Sequence, residues 1–171
     1  MSFENDQERM RHCITRFEVD IITFKQSNQI WAALQNLFAD SVGYKLFTVM
    51  TVDMKKLEAA RVFTSHPVDY PVSGTKPIHM DMWFDVVHRQ QKLFVANTIK
   101  DIAKVFPDYE KIWALGCGSV VNMPVVIKGA LVATINILHA ENYYTADRIA
   151  IIEKNLREPS RHAYETIYHA I

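Results

Sequence analysis

The chain has 171 residues, with 19 Lys and Arg against 19 Asp and Glu, five Gly, six Pro and two Cys. That length is one domain able to bury a proper core, and 49% apolar residues exclude a disordered or low-complexity class. A formal net charge of zero with no block of like charges argues against nucleic acid and anionic membrane as partners. Cys13 and Cys117 lie too far apart to form a disulfide scaffold. The polar, acidic N-terminus reads as carrying no signal peptide, and no window approaches the ~18 consecutive apolar residues of a membrane span. A cytoplasmic protein is expected.

The first predicted helix runs from about Asn5 to Phe24, where Met10, Ile14, Phe17, Ile21 and Phe24 recur at a/d spacing over two heptads. Such a seam either packs on its own domain or pairs two chains. Ser27 is placed to cap a second helix with Ile30, Leu34, Leu37 and Phe38 on one face, closed by Gly43. Tyr44–Val52 and Leu57–Ser65 then read as strands, and their short polar link makes them an antiparallel hairpin. His66–Pro77 holds three prolines and a glycine and reads as a loop. After it, Met80, Trp83, Phe84 and Val87 give helical spacing, Lys92–Ala96 a short strand, and Ile99–Val105 and Asp108–Leu115 short helices parted at Pro107. Ser119–Ile127 and Ala130–Leu138 form a hairpin about a Lys128–Gly129 turn. Thr145 caps a helix to Leu156, and Pro159 opens a last one with Tyr164, Ile167, Tyr168 and Ile171 on one side. The order predicts an α+β fold, an antiparallel sheet flanked by helices.

Motifs that carry chemistry are scarce. The seven histidines form no His-Glu-x-x-His, and no Cys-x-x-Cys completes a zinc site, so no metal and no cofactor is expected. Gly116–Cys117–Gly118–Ser119 follows a helix and enters a strand, which suits neither a dinucleotide loop nor a nucleophile elbow. Cys117 has no basic neighbour in sequence and no following helix N-terminus to activate a thiol. Asp81 and Asp85 share a helical face and read as solvated carboxylates.

Ser119 opening a strand, Pro124 within it, the Lys128–Gly129 turn, the Ile135–Asn136–Ile137 strand and the Tyr144–Thr145–Ala146–Asp147 helix start resemble the C-terminal half of a GAF domain. Upstream, the order of elements agrees from about Gln26, and Ala133 stands where that family usually has glycine. The resemblance implies a six-stranded antiparallel sheet with helices on one face and a ligand pocket on the other. It divides the chain into an N-terminal helix over 1–25, a GAF-like domain over 26–156 and a C-terminal helix over 157–171. It also implies a small-molecule sensor without an output domain of its own. The family's bilin and cyclic-nucleotide signatures are absent, and the cysteines do not match the positions a free methionine sulfoxide reductase of this family uses. That thiol enzyme, and a purely structural dimer module, are the alternatives.

Simple strand parity about the Lys128–Gly129 turn puts Ser119, Val121, Met123, Thr134 and Asn136 on one face, and Val120, Asn122, Pro124, Ile135 and Ile137 on the other. The first face is mixed in polarity, as a pocket wall should be. Ser119, Thr134 and Asn136 are therefore expected to bind a small polar molecule, with Trp83 and Met80 as its roof and His66–Pro77 as a lid. The lack of a basic cluster on these elements points to an uncharged or singly charged ligand. The terminal helices, with their apolar seams, are expected to make a homodimer.

Overall fold

The computed structural model describes residues 3–72 and 74–168. Its elements are α1 (Phe3–Thr23), α2 (Ser27–Ser41), β1 (Leu46–Asp53), β2 (Glu58–Thr64), β3 (Thr75–Pro77), α3 (Met82–Phe84), β4 (Phe94–Ala96), α4 (Ile99–Ala103), α5 (Tyr109–Ala114), β5 (Ser119–Ile127), β6 (Ala130–His139), α6 (Ala146–Asn155) and α7 (Arg157–Tyr168). A π-helical turn over Asp85–Arg89 continues α3. The strands form one antiparallel sheet in the order β3-β2-β1-β6-β5-β4. The expected α+β architecture, six strands included, is present; the sixth, β3, sits at the edge within a stretch that reads as loop from sequence.

One face of the sheet carries the main core. Phe47 and Val49 of β1, Val121, Met123 and Val125 of β5, and Ala133, Ile135 and Ile137 of β6 meet α2's Ile30, Trp31, Leu34, Leu37 and Phe38. Cys13, Phe17 and Ile21 of α1, Ile152 of α6 and Ala163 of α7 complete this layer. The opposite face bears a second apolar cluster, with Leu46, Val120 and Leu138 from the sheet and Val87, Ile102 and Ile112 from the short helices.

Local chemistry sets the boundaries. Gln26, not Ser27, caps α2: its side chain and that of Gln29 reciprocate with backbone amides as a capping box. Thr98 and Thr145 cap α4 and α6 by accepting from Asp101 and Arg148 amides. Lys128 and Gly129 both adopt positive φ, 50° and 79°, the geometry of a two-residue type I′ hairpin. At Gly43, φ is 78° and an added Cβ would lie 2.5 Å from the Tyr143 hydroxyl, so the turn into β1 accepts no side chain. Among the described residues no helix is long and apolar enough to cross a membrane.

The terminal helices are built into this core. The α1 seam faces α2 and α7 of the same chain, with Ile14 and Phe24 packed against the core and Phe17 and Ile21 buried in it. Tyr164 and Ile167 of α7 pack there too, while Ile171 lies outside the described residues. An exposed-patch argument for a dimer therefore loses most of its apolar surface and keeps Val19 and Ile22 on the outer side of α1 and Tyr168 of α7. The integration is testable. Phe17→Ala should lower unfolding free energy by about 3–5 kcal/mol in a denaturant titration. A helix serving only as a dimerisation arm would leave monomer stability unchanged.

Candidate functional site

Two β-bulges decide which side chains meet the open face of the sheet. In the β5–β6 hairpin, Ile127 pairs with Ala130 and Val126 with Leu131, but Val125 pairs with Ala133, leaving Val132 as the extra residue. Because side chains alternate with period two, one extra residue inverts the facing of β5 relative to β6 from there on. Asn122 therefore opposes Asn136, and Pro124 opposes Thr134. Pro124 sits beyond the end of β4, which pairs only as far as Asn122, so its missing N–H costs no ladder bond there. A second irregularity, between Val49↔Phe63 and Met50↔Arg61, skips Val62; the unbroken register from the turn has already set Arg61 opposite Met50, and the extra residue keeps Phe63 opposite Val49 on the helix-backed face.

The result is a cavity of about 440 Å³. Three cross-strand rows make its floor: Val120–Leu138–Leu46, Asn122–Asn136–Thr48, and Thr134–Met50–Arg61. Walls come from Tyr70, from the segment between β3 and α3, from Trp83, and from Val105–Asp108 with Ile112. The volume falls in the range that encloses a small organic molecule.

The middle row is a continuous hydrogen-bonded chain. The Trp83 indole N–H donates to Asn122 Oδ1 at 3.1 Å, Asn122 Nδ2 donates to Asn136 Oδ1 at 2.6 Å, and Asn136 Nδ2 donates to Thr48 Oγ1 at 3.3 Å. Asn136 Nδ2 also reaches the Thr134 carbonyl at 3.5 Å. Buried amides are costly when unpaired, so this chain is what lets Asn122, Asn136 and Thr48 stay out of water. The Trp83 indole is anchored to the floor by the same chain.

Charged groups stand at the rim. The Tyr70 hydroxyl donates to Asp108 Oδ2 at 2.9 Å, and burial with the adjacent carboxylate pushes the Tyr70 phenol up. Asp81 accepts from the Phe84 amide at 3.0 Å and caps α3. Arg61 lies over the Tyr70 ring, 5.0 Å from its centroid, and burial lowers its guanidinium pKa. Among the described residues no cluster of His, Cys, Asp and Glu is arranged to hold a metal.

Of the five residues singled out from sequence, the structure brings Trp83, Thr134 and Asn136 together around the cavity. Ser119 is not with them. It shares the parity of Val121 and Met123, is fully buried, and donates its hydroxyl to the Ala140 carbonyl at 2.8 Å. The Val132 bulge is the physical reason, and it also transfers Val121 and Met123 to the helix-backed core. Met80 precedes α3, is 68% exposed and stands outside the lining, because it lies in a bend, with the Asp81 amide donating to the His79 carbonyl at 3.0 Å, before the helix begins. Asn122, assigned from sequence to the opposite face, is the central residue that simple alternation missed. Arg61 and Tyr70 lay in segments read as an ordinary strand and loop. No local signal in β6 marks the bulge; only the mismatch of an Asn and a Pro on the predicted core face hints at it.

The fold is that of GAF domains. Similar structures include the GAF domain of a phosphoenolpyruvate-protein phosphotransferase from Coxiella burnetii (TM-score 0.66, 12% identity, 96% of this chain and 98% of that one). The GAF domain of a two-component sensor histidine kinase from Bacillus halodurans aligns at TM-score 0.64 and 12% identity over 82% of this chain and 92% of that one. A free methionine-R-sulfoxide reductase from Neisseria meningitidis, solved with its substrate, aligns at TM-score 0.67 and 12% identity over 95% and 92%. No family model matches the sequence, and no curated protein matches it.

The Asn122–Asn136 pair can be tested energetically. Asn122→Leu and Asn136→Leu should each cost about 1–3 kcal/mol, because each leaves a buried amide without its partner. The double variant should cost less than their sum, with a coupling of about 0.5–3 kcal/mol by denaturant unfolding. Additive costs would mean that the two amides do not act as a pair.

Proposed function

We propose that this chain is a sensory or regulatory module of the GAF type that binds a small polar molecule in the cavity on the open face of its sheet. The observation that carries the reading is the internally satisfied Trp83–Asn122–Asn136–Thr48 chain under an otherwise largely apolar cavity. Such a site combines apolar area for affinity with a few fixed polar groups for orientation. Fold likeness to GAF domains of a sensor kinase and of a phosphotransferase supports the sensory role by analogy. Thr134, Asn136 and Trp83 are kept as ligand contacts, and Asn122 and Thr48 join them. Cytoplasmic location is part of the same reading.

A thiol enzyme is the competing class, since a methionine sulfoxide reductase shares the fold. Its chemistry needs an accessible thiolate and a resolving partner. Here Cys117 is fully buried beside Ile112, Val120 and Leu138, and burial pushes its thiol up. Cys13 belongs to the core on the other face of the sheet. Both thiols should therefore react slowly with Ellman's reagent in the native protein and completely in guanidinium chloride. Rapid native modification of Cys117 would favour the enzyme.

A thermal-shift screen against a metabolite library tests the binding function itself. A true ligand should stabilise the fold in a concentration-dependent way, by about 2.7 kcal/mol at a hundredfold excess over Kd. Binding should also alter tryptophan emission, and Trp83→Phe should remove that change while Trp31 and Trp113 remain. Asn136→Leu should weaken binding at least tenfold with the protein still folded. A hit indifferent to both Asn136→Leu and Trp83→Phe would move the site elsewhere.

A further inference from the structure

Arg61 is a cation in the cavity wall that no carboxylate among the described residues touches; Asp108 acts on it only through space. Its Nη1 donates to the Pro71 carbonyl at 3.1 Å, and its guanidinium lies over Tyr70. Its Nε is buried with no hydrogen-bond acceptor among the described residues. Among the described residues it makes no ion pair, whereas Arg16, Arg89, Arg157 and Arg161 each have a carboxylate partner. The facing carboxylates are otherwise engaged: Asp108 accepts from Tyr70, beyond ion-pair reach of Arg61, and Asp81 caps α3. Lys111 also lies over the Tyr70 ring, 4.7 Å from its centroid, so two cations flank one neutral aromatic.

This placement has a specific origin. The register runs unbroken from Asp53↔Glu58 at the turn to Met50↔Arg61, so alternation sets Arg61 on the cavity face beside Met50, and the bulge at Val62 then keeps Phe63, opposite Val49, in the helix-backed core. An arginine there presents a planar fork that suits a carboxylate on two donors.

Resting on the cavity reading above, we infer that the ligand is a small monocarboxylate, its carboxylate taken by the Arg61 guanidinium and its uncharged polar end by the Asn122–Asn136–Thr48 row. The two ends of such a molecule meet the two polar parts of the cavity, and its apolar body lies over Met50 between them. With a small turn of the guanidinium, a carboxylate accepts from Nη2 and Nε together, giving the buried Nε–H the acceptor it lacks. A dianionic phosphate fits less well: beside Arg61 the basic lining residues, Lys76 and His79, are exposed, while Asp81 and Asp108 line the same cavity and would repel the second charge.

The probes are N-acetyl-leucine, N-acetyl-methionine and N-acetyl-phenylalanine, each beside its carboxamide, which keeps shape and removes the charge. Titration calorimetry on the intact chain should show at least one acid binding, with its carboxamide at least tenfold weaker. Arg61→Gln should abolish that preference, and Arg61→Lys, which keeps the charge and serves if Gln perturbs the fold, should retain part of it. Asn136→Leu should weaken acid and carboxamide alike, leaving their ratio intact. Equal binding of acid and carboxamide, or an acid preference that survives Arg61→Gln, overturns the carboxylate assignment while the cavity reading stands. Silence from all six probes alongside an uncharged library hit at the Asn row does the same. A blank from the library as well removes the cavity reading itself.

Discussion

The extra residue at Val132 is the constraint on which the binding face depends. A β-hairpin with an uninterrupted register would carry Asn122 and Pro124 into the helix-packed core, and would lift Val121 and Met123 toward the cavity. Either displacement is costly: an unpaired amide buried among Phe38, Phe47 and Ile135 loses its hydration without replacement, and two apolar side chains lose their packing. The bulge resolves both problems at once. It places every residue of β5 from Ser119 to Val125 in the facing its chemistry demands, at the cost of one unpaired position on β6.

The two faces of the sheet then divide the work. The helix-backed side is dense and apolar, with Trp31, Phe17, Phe38 and Tyr144 almost wholly buried, and it fixes the positions of β1, β5 and β6. The other side is covered by short pieces: a three-residue helix running into a π-helical turn, then two helices of five and six residues. Short helices hold few internal hydrogen bonds and rely on tertiary contact for their stability. They cannot close over the sheet as tightly as α1, α2 and α7 do, and the cavity is the space they leave. A rigid floor under a less regular roof is the arrangement expected of a site that admits a ligand from solution.

Much of this was legible in the sequence. Element order, both hairpins, the Thr145 cap and the Lys128–Gly129 turn all follow from local chemistry, and the run from Ser119 to Ile149 carried the fold resemblance. The site was legible only in part, for a definite reason. Trp83, Thr134 and Asn136 follow from spacing and alternation, but Ser119 was misplaced and Asn122 missed because alternation was carried through a bulge it could not see. Arg61 was missed for another reason: the register from the turn sets it opposite Met50, but nothing within the strand's own sequence marks that face as a cavity. Met80 failed differently, since helical spacing was extended one residue beyond the Asp81 cap. The α1 seam is a further case, because periodicity gives an apolar stripe without saying whether its partner is the same chain or another.

The polar parts of the cavity differ in what they have left to offer. Within the amide row each Asn uses its carbonyl once, Asn122 from Trp83 and Asn136 from Asn122, and each carbonyl oxygen keeps a second lone pair. Asn122 Nδ2 keeps a second proton, and the Thr48 hydroxyl, accepting from Asn136, keeps its own. The row is therefore satisfied enough to stay buried without a ligand, yet retains donors and acceptors in fixed directions. Arg61 is the opposite case, a charge compensated by Pro71 and Tyr70 in contact and by Asp108 through space, with its buried Nε–H unused. A group already satisfied contributes to binding chiefly through geometry, by rejecting molecules whose polar atoms are misplaced. A group left short of partners contributes through free energy, because a ligand relieves a cost the empty protein already bears. Selectivity thus resides on the β5–β6–β1 side of the floor and affinity on the β2 side, and a molecule must span both to gain from either in full.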